Sequence, residues 1–248
     1  MRTFGLIGFP LSHSFSPDYF NKKFQQQNIE AIYKTFPLKS INDFFSILNN
    51  NPTLEGLNVT IPYKETIISY LDEISSEAKE IGAVNCINIV YKNKKPYLIG
   101  YNTDFIGFEK SFIPCLKPHH KKALVLGNGG AAKAIKFVLK KLDIPFKTVV
   151  RTIKNKEELL YTELNKELLN NYTIIINTTP LGTYPETENC PDIPYHFLNN
   201  SHFLYDLIYN PAESLFLKKG KLLNAEIKNG YEMLVIQAEE SWKIWNNQ

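Results

Sequence analysis

The segment ALVLGNGGAAKAIKFVLKKL, residues 123–142, joins an apolar run to a glycine-rich turn and then to an alanine- and lysine-rich stretch. The apolar run predicts a buried strand, and the spacing of the apolar residues after the glycines predicts a helix. Glycines at such a junction let the backbone approach a pyrophosphate, which the free N–H groups and dipole of a helix N-terminus favour. We therefore expect a dinucleotide-binding loop at 127–132, although a glycine turn alone is a weak signal that also suits an ordinary strand–helix turn.

The next apolar run, FKTVV at 146–150, ends in Arg151 and Thr152. In a site for NAD, an acidic residue about 20 residues beyond the glycine loop binds the ribose 2′-hydroxyl. Here an arginine stands at that position instead, and a guanidinium forms charge-assisted hydrogen bonds with a 2′-phosphate. The sequence thus favours NADP over NAD, with a solvated arginine after a strand as the simpler alternative.

Outward from this segment, short apolar runs alternate with helical patterns along the whole chain. Before the glycine loop, the runs at 3–8, 31–36 and 55–59 predict strands, and the patterns at 17–27 and 41–50 predict helices. A second alternation starts near residue 122 and includes the runs ALVLG, FKTVV, TIIIN and FLYDLIY. Because strands that alternate with helices are typical of βαβ units with a parallel sheet, we expect two α/β lobes.

Two further segments have their own patterns. The stretch from Thr183 to Ser201 contains three prolines and little periodicity, which predicts a surface loop. The segment YEMLVIQAEESWKIW, residues 231–245, has apolar residues at helical spacing and predicts an amphipathic helix that could pack on either lobe.

The composition restricts the kinds of protein that the chain can be. Its 248 residues suffice for two modest lobes, and 44% hydrophobic residues indicate a globular protein. A net charge of +3 with dispersed lysines gives no reason to expect nucleic acid as a partner. The three cysteines are scattered and form no CxxC, so neither a metal site nor a disulfide framework is predicted, and a reducing cytoplasm is the simplest location. No signal peptide is recognisable, and no apolar run approaches the ~18 residues of a membrane span.

Eight motifs follow one another in order along the chain. They are GFPLSHSFSP (8–17), GLNVTIPYK (56–64), GAVNC (82–86), GYNTDFIG (100–107), GNGGAA (127–132), NTTPLG (177–182), DLIYNP (206–211) and GYEMLVIQA (230–238). With this set the chain resembles the shikimate dehydrogenase family, whose members reduce 3-dehydroshikimate with NADPH in aromatic amino-acid biosynthesis. Eight ordered motifs are far more specific than any one of them.

The resemblance implies a two-lobe α/β fold with a cleft between the lobes. The substrate-binding lobe would comprise residues 1–102 plus 230–248, because the family's C-terminal helix returns to the first lobe. Residues 103–229 would form the Rossmann-like lobe that binds NADP.

The first motif places several hydroxyl groups ahead of a helix. The pair Ser16-Pro17 predicts an N-cap followed by proline in the first helical turn, with Ser14 just upstream. A helix N-terminus with extra hydroxyl donors suits a carboxylate. The resemblance implies that Ser14 and Ser16 hold the substrate carboxylate, whereas the residues alone also allow a plain cap. For His13 we expect a structural role near the turn.

Two motifs supply the residues that the resemblance makes catalytic. Lys64 and Thr60 would lie at a strand exit and the start of the following helix, with Lys64 as general acid–base and Thr60 in the substrate site. Asp104 would be the carboxylate partner of Lys64. Reduction of a ketone by hydride requires a proton at the oxygen, and a nearby lysine can deliver it and stabilise the developing charge.

The remaining site residues also rest on the resemblance. Those expected to bind substrate hydroxyls are Asn85, Tyr209 and Gln237. Those expected to bind the cofactor are Gly127, Asn128, Gly129, Gly130, Ala131, Arg151, Thr152, Thr178 and Gly230. No metal is expected.

The chain departs from the family pattern at Val150, where an asparagine commonly precedes the arginine, and at Thr183 and the pair Tyr231-Glu232 beside the nicotinamide end of the cleft. Rival readings are therefore an NAD-using quinate/shikimate dehydrogenase, a dehydrogenase of another small hydroxy acid, and a non-catalytic NADP-binding regulator. The regulator would need neither Lys64 nor Asp104. We expect a small-molecule substrate, neither a nucleic-acid nor a membrane partner, and allow for a homodimer.

Overall fold

The computed structural model of the chain describes residues 1–11, 14–93 and 95–247. The chain folds into two compact units, one formed by Met1–Thr103 with Gln237–Gln248 and the other by Asp104–Ile236. The role expected for His13 lies outside the described residues. Within the described ranges, none of the helices has the length and apolar character needed to cross a membrane.

The first unit is an α/β fold on a six-stranded sheet. Its helices and strands are β1 (Arg2–Gly8), α1 (Phe15–Gln26), β2 (Ala31–Pro37), α2 (Phe44–Asn50), β3 (Leu54–Val59), β4 (Glu73–Ile74), α3 (Ser76–Ile81), β5 (Cys86–Lys92) and β6 (Lys95–Tyr101). The strand order is β2-β1-β3-β5-β6-β4. Two 3-10 helices, Ile41–Asp43 and Thr66–Tyr70, complete the unit.

The sheet of the first unit is mixed, whereas the sequence pattern predicts a parallel sheet. The strands β1, β2 and β3 run parallel, as expected. In contrast, β5 pairs antiparallel with both β3 and β6. Only two residues separate Lys92 from Lys95, which is too short for the crossover that a parallel neighbour requires, so β5 and β6 form a hairpin.

The end of the C-terminal helix α8 (Tyr231–Trp245) belongs to the core of the first unit. The indole of Trp245 stacks on Phe4 of β1 at a centroid distance of 4.9 Å, and its N–H donates to the carbonyl of Ile87 at 3.0 Å. A Cβ at Gly56 would come within 2.3 Å of the same indole. Burial of Trp245 against the sheet therefore explains why residues distant in sequence complete this unit.

The second unit is a doubly wound α/β fold. Its elements are α4 (Asp104–Phe112), β7 (Ala123–Leu126), α5 (Gly130–Lys141), β8 (Phe146–Val150), β9 (Glu158–Leu160), α6 (Lys166–Asn171), β10 (Ile174–Asn177), β11 (Phe203–Asp206), α7 (Leu215–Leu222), β12 (Glu226–Lys228) and the first part of α8. Its six strands are all parallel in the order β12-β11-β10-β7-β8-β9. The order reverses at β7, and ligands of such sheets bind beyond the carboxyl ends of the strands at this reversal.

The segment 183–201 contains only one short helical element, the 3-10 turn Tyr195–Phe197. It is not wholly on the surface, because Ile193 and Leu198 are buried in an apolar cluster with Leu124 of β7. The proline-rich loop therefore also covers one face of the second sheet.

Candidate active site

The two serines of the first motif lie at the N-terminus of α1. Ser14, not Ser16, is the N-cap residue, so the helix starts two residues earlier than the sequence pattern predicts. The Ser14 hydroxyl donates to the carbonyl of Leu11 at 3.0 Å, and Ser16 is buried in the first turn. Pro17 lies in the same turn, where its missing N–H costs no helical hydrogen bond.

Thr60 and Lys64 follow the carboxyl end of β3. The N–H of Thr60 donates to the carbonyl of Ile7 in β1 at 2.9 Å. Lys64 lies in the turn just before the 3-10 helix, rather than in its first turn, and its side chain is half-buried. The carbonyl of Lys64 accepts from the N–H of Val84 at 2.7 Å, which fixes the backbone from which the ammonium group extends.

A buried amide cluster, formed by Asn85, Thr103 and Gln237, lies in the first unit. The backbone N–H of Thr103 donates to Oδ1 of Asn85 at 2.6 Å, and Nδ2 of Asn85 donates to Oγ1 of Thr103 at 3.0 Å. The Thr103 hydroxyl lies 3.3 Å from Oε1 of Gln237. Asn85 and Gln237 are only 3% and 6% exposed. The fold thus brings together two amides that the sequence assigns to substrate binding.

This amide cluster continues into the interior. Nδ2 of Asn58 donates to the Ser241 hydroxyl at 2.9 Å, and the Ser241 hydroxyl lies 3.2 Å from that of Thr103. The phenol of Tyr33 donates to Oδ1 of Asn58 at 2.8 Å. Because the partners hold one another in place, the cluster presents its groups in a preorganised arrangement.

The glycine loop of the second unit follows β7. Gly127 has φ +99°, and a Cβ there would lie 2.9 Å from Oγ1 of Thr178 after β10. Thr178 in turn donates to the carbonyl of Leu126 at 2.7 Å. Gly129, the N-cap of α5, has an ordinary φ of −85°, and a Cβ there would have no atom within 4 Å. The fold therefore requires glycine at 127, whereas at Gly129 the absent side chain leaves open space at a helix N-terminus.

The end of β8 carries the predicted phosphate-binding pair. Arg151 and Thr152 are both exposed. Within the described residues, the guanidinium of Arg151 forms neither a hydrogen bond nor a salt bridge, although it lies near the half-buried phenol of Tyr161 and opposes the rise that burial gives the pKa of that phenol. An exposed, unpaired guanidinium at this strand end is available to an anion.

A buried carboxylate organises the loops after β10 and β11. Oδ1 of Asp206 accepts from Nδ2 of Asn177 at 3.0 Å and from the N–H of Ile208 at 3.1 Å, and Oδ2 accepts from the Ser214 hydroxyl. Asn177 also accepts from the hydroxyl of Thr179 at 2.7 Å. Burial raises the pKa of Asp206 to about 6 despite these hydrogen bonds.

The comparisons with known proteins agree with this organisation. A family model described as the shikimate dehydrogenase substrate binding domain matches residues 6–87. The shikimate dehydrogenase (NADP(+)) of Methanococcus vannielii is 38% identical, over 97% of this chain and 90% of its own length. The chain belongs to the shikimate dehydrogenase family.

Solved structures of this family share the whole fold. A shikimate dehydrogenase in complex with NADP⁺ is 34% identical with a TM-score of 0.84, covering 100% of this chain and 91% of that one. The Thermus thermophilus enzyme in complex with NADP(H) and shikimate is 27% identical with a TM-score of 0.86, covering 100% and 94%. The two-lobe α/β fold predicted from the sequence is confirmed.

Other expected residues of the shikimate dehydrogenase site belong to the second unit. Asp104 is the first residue of α4 and is buried, and Tyr209 is half-buried after β11. Gly130 and Ala131 form the first turn of α5. A Cβ at Gly230 would come within 2.2 Å of the Leu207 carbonyl, so tight packing already explains this glycine.

Sequence reasoning missed several polar residues that support the site. They are Asn58, Thr103, Asp206 and Ser241. Asn58 and Asp206 are polar residues within apolar strands, and Ser241 lies four residues after Gln237 on α8. A polar residue inside an apolar strand was the available signal, because burying it requires a hydrogen-bond partner. Within the described residues, no group of three or more His, Cys, Asp or Glu is placed to hold a metal ion.

The two loop glycines predict opposite effects of alanine. Gly127→Ala should lower the free energy of unfolding by about 1–3 kcal/mol, because it forces a side chain into a left-handed conformation against Thr178. Gly129→Ala should leave stability unchanged or slightly higher and weaken NADPH roughly tenfold, equal to about 1.4 kcal/mol. Urea denaturation and a fluorescence titration measure the two effects. Equal NADPH affinity in wild type and Gly129→Ala would contradict a ligand at this N-terminus.

The raised pKa of Asp206 predicts a specific pH dependence of stability. The folded protein holds this proton more tightly than the unfolded chain, so the stabilisation is full below pH 3.8 and is lost as pH rises through about 6. The loss from about pH 4.5 to about pH 7 should be on the order of 2 kcal/mol. Urea denaturation at both pH values should show this loss in wild type and not in Asp206→Asn. The exposed Asp143→Asn is the control and should retain it.

Proposed function

We propose that the protein catalyses the reversible, NADPH-dependent reduction of 3-dehydroshikimate to shikimate. Membership of the family supports this reaction, and the NADP(+) enzyme of M. vannielii supports the choice of cofactor. The observation that carries the proposal is in the second unit, where open space beside Gly129 at the α5 N-terminus occurs together with an unpaired arginine after the next strand.

The residues of the second unit fit NADP. The N–H groups of Gly129, Gly130 and Ala131 belong to the first turn of α5 and would bind the pyrophosphate. Arg151 and Thr152 would bind the 2′-phosphate, since neither is occupied by packing. The cofactor, when bound, supplies the hydride. The other residues proposed to line its site are Gly127, Asn128, Thr178 and Gly230.

On the substrate side, the α1 N-terminus would bind the carboxylate. Ser14 and Ser16 offer hydroxyl groups where the helix dipole favours a negative charge. The Ser14 hydroxyl has a single hydrogen, so binding the carboxylate requires it to leave the Leu11 carbonyl. Asn85 and Gln237, held by Thr103, would bind the ring hydroxyls. Thr60 and Tyr209 are proposed to complete this site.

Lys64 and Asp104 would carry out the proton transfer. In the reducing direction the ammonium of Lys64 donates a proton to the carbonyl oxygen as that oxygen gains negative charge. Asp104 would orient the ammonium and keep it charged. In the oxidising direction the neutral amine accepts the hydroxyl proton. One hydride and one proton together convert the ketone into the secondary alcohol, so the reaction balances.

The test is a panel of substrates and cofactors. NADPH oxidation should be fast with 3-dehydroshikimate and slow with 3-dehydroquinate, and NADH should replace NADPH poorly. Preference for 3-dehydroquinate with NADH would favour the quinate/shikimate enzyme. Tight NADPH binding without turnover of either substrate would favour a regulator. A homodimer and a cytoplasmic location stay predictions.

A further inference from the structure

The carboxylate of Glu158 is the centre of a hydrogen-bond cluster that the proposed reaction does not use. Glu158 is the first residue of β9 and is only 6% exposed. It accepts from the backbone N–H groups of Lys154 at 2.6 Å and Asn155 at 3.1 Å, and from Nδ2 of Asn128 at 2.6 Å. Nδ2 of Asn155 adds a weaker contact at 3.4 Å. These donors hold the pKa of Glu158 below its usual value, so it is ionised at neutral pH.

The donors come from two segments that each carry part of the proposed nucleotide site. Asn128 belongs to the glycine loop, and Lys154 and Asn155 belong to the segment 151–157 that begins with Arg151. Every residue from 151 to 157 is exposed, so side-chain packing does not hold this segment. The bonds to Glu158 therefore supply the fixed points of its backbone.

The orientation of the Asn128 amide is also determined. Its Oδ1 accepts from the ammonium of Lys136, which can only donate, and its Nδ2 donates to the carboxylate of Glu158, which can only accept. The side chain of Asn128 is thus occupied within the protein. Any contact of Asn128 with a nucleotide falls to its backbone.

We propose that Glu158 is a positioning residue of the nucleotide site, which locks the glycine loop to the segment carrying Arg151. This inference rests on the proposed function, because it takes the ligand to be a nucleotide with a 2′-phosphate. Glu158 fixes where the guanidinium begins relative to the loop that binds the pyrophosphate. Fixing both before binding lowers the conformational entropy that the nucleotide must otherwise offset.

The experiment compares Glu158→Gln with wild type by fluorescence titration of NADPH and NADH. Glutamine keeps the shape but turns one acceptor into an N–H₂ group that faces donors, so one limb of the cluster is lost. The Kd for NADPH should rise about tenfold, a loss of about 1.4 kcal/mol. The Kd for NADH should rise less, because NADH lacks the 2′-phosphate. At saturating NADPH, kcat and the KM for shikimate should stay within about twofold of wild type, as for any residue that acts only on cofactor binding.

Glu163→Gln is the matched control. Glu163 also accepts a backbone N–H, that of Leu160 at 2.6 Å, but it is exposed and contacts neither segment. It should change neither Kd. If Glu158→Gln fails to fold, Asn128→Ala removes only the limb to the glycine loop and should still raise the NADPH Kd.

The outcomes separate this inference from the proposed function. An unchanged ratio of NADPH to NADH Kd in Glu158→Gln, even with reduced thermal stability, would make Glu158 merely structural and overturn the inference. Wild type that binds NADPH but turns over no substrate would overturn the proposed function alone. Wild type that does not bind NADPH would overturn both.

Discussion

Lys64→Met is expected to lower kcat by about 10²- to 10⁴-fold, equal to roughly 3–5 kcal/mol of barrier. Methionine has a similar length but no proton to donate, so the oxygen that gains charge in the transition state would lose its acid. NADPH affinity, followed by fluorescence, should stay near wild type. The KM for shikimate should change less than kcat, because the proton is needed mainly in the transition state.

Lys22→Met is the control for this effect, because Lys22 is an exposed lysine on α1 in the same unit. It should leave all kinetic constants unchanged. A Lys64→Met enzyme with near-normal kcat and a raised KM would make Lys64 a binding residue. The general acid would then be sought at Asp104 or Tyr209.

The proposed partnership of Lys64 with Asp104 has its own signature. Residues that act as one unit give strongly non-additive losses. We therefore expect the double variant Lys64→Met/Asp104→Asn to be about as slow as the slower single variant. Full additivity would mean that the two side chains act independently, with Asp104 binding substrate rather than serving Lys64.

Arg151→Ala is expected to weaken NADPH by roughly one to two decades, because a charge-assisted hydrogen bond contributes roughly 1.5–3 kcal/mol. NADH should bind almost as before, since it has no 2′-phosphate. Fluorescence titration with both nucleotides measures the change in preference directly. Arg151→Lys should fall between alanine and wild type, because lysine keeps the charge but lacks the planar fork of donors.

Lys218→Ala tests whether any loss of positive charge has the same effect, because Lys218 is an exposed cation of the second unit. It should leave both affinities unchanged. An equal loss of NADPH and NADH binding in Arg151→Ala would show that Arg151 does not recognise the phosphate. The basis of the NADP preference would then have to be another cation of the segment 151–157.

The strands predicted from sequence were those buried on both faces. The runs at 3–8, 146–150 and 174–177 lie within β1, β8 and β10, because continuous apolar residues suit a central parallel strand. The hairpin of β5 and β6 was missed, since both strands are partly exposed and carry lysines at the turn. Their pairing is decided by the short connection and by the neighbour β3, which no local window contains.

The site divides in the same way. Motifs identified residues such as Lys64, Gly127 and Arg151, whose positions follow from a strand end or a glycine turn. They did not identify Ser241 as a partner of Thr103, because those hydroxyls are 138 residues apart in sequence. Nor did they identify Glu158, because its role depends on the parallel pairing of β9 with β8.

The discontinuity of the first unit determines the order in which a growing chain acquires its parts. On the ribosome, residues 104–236 are complete as one continuous stretch before Gln237 and Trp245 are added. Domains fold as units during synthesis, usually from the N-terminus onward. Here the second unit can fold as soon as it emerges, while Phe4 and Ile87 wait for the indole that caps their sheet. The nascent protein therefore holds a complete nucleotide-binding half while its substrate half still lacks the partner of Asn85.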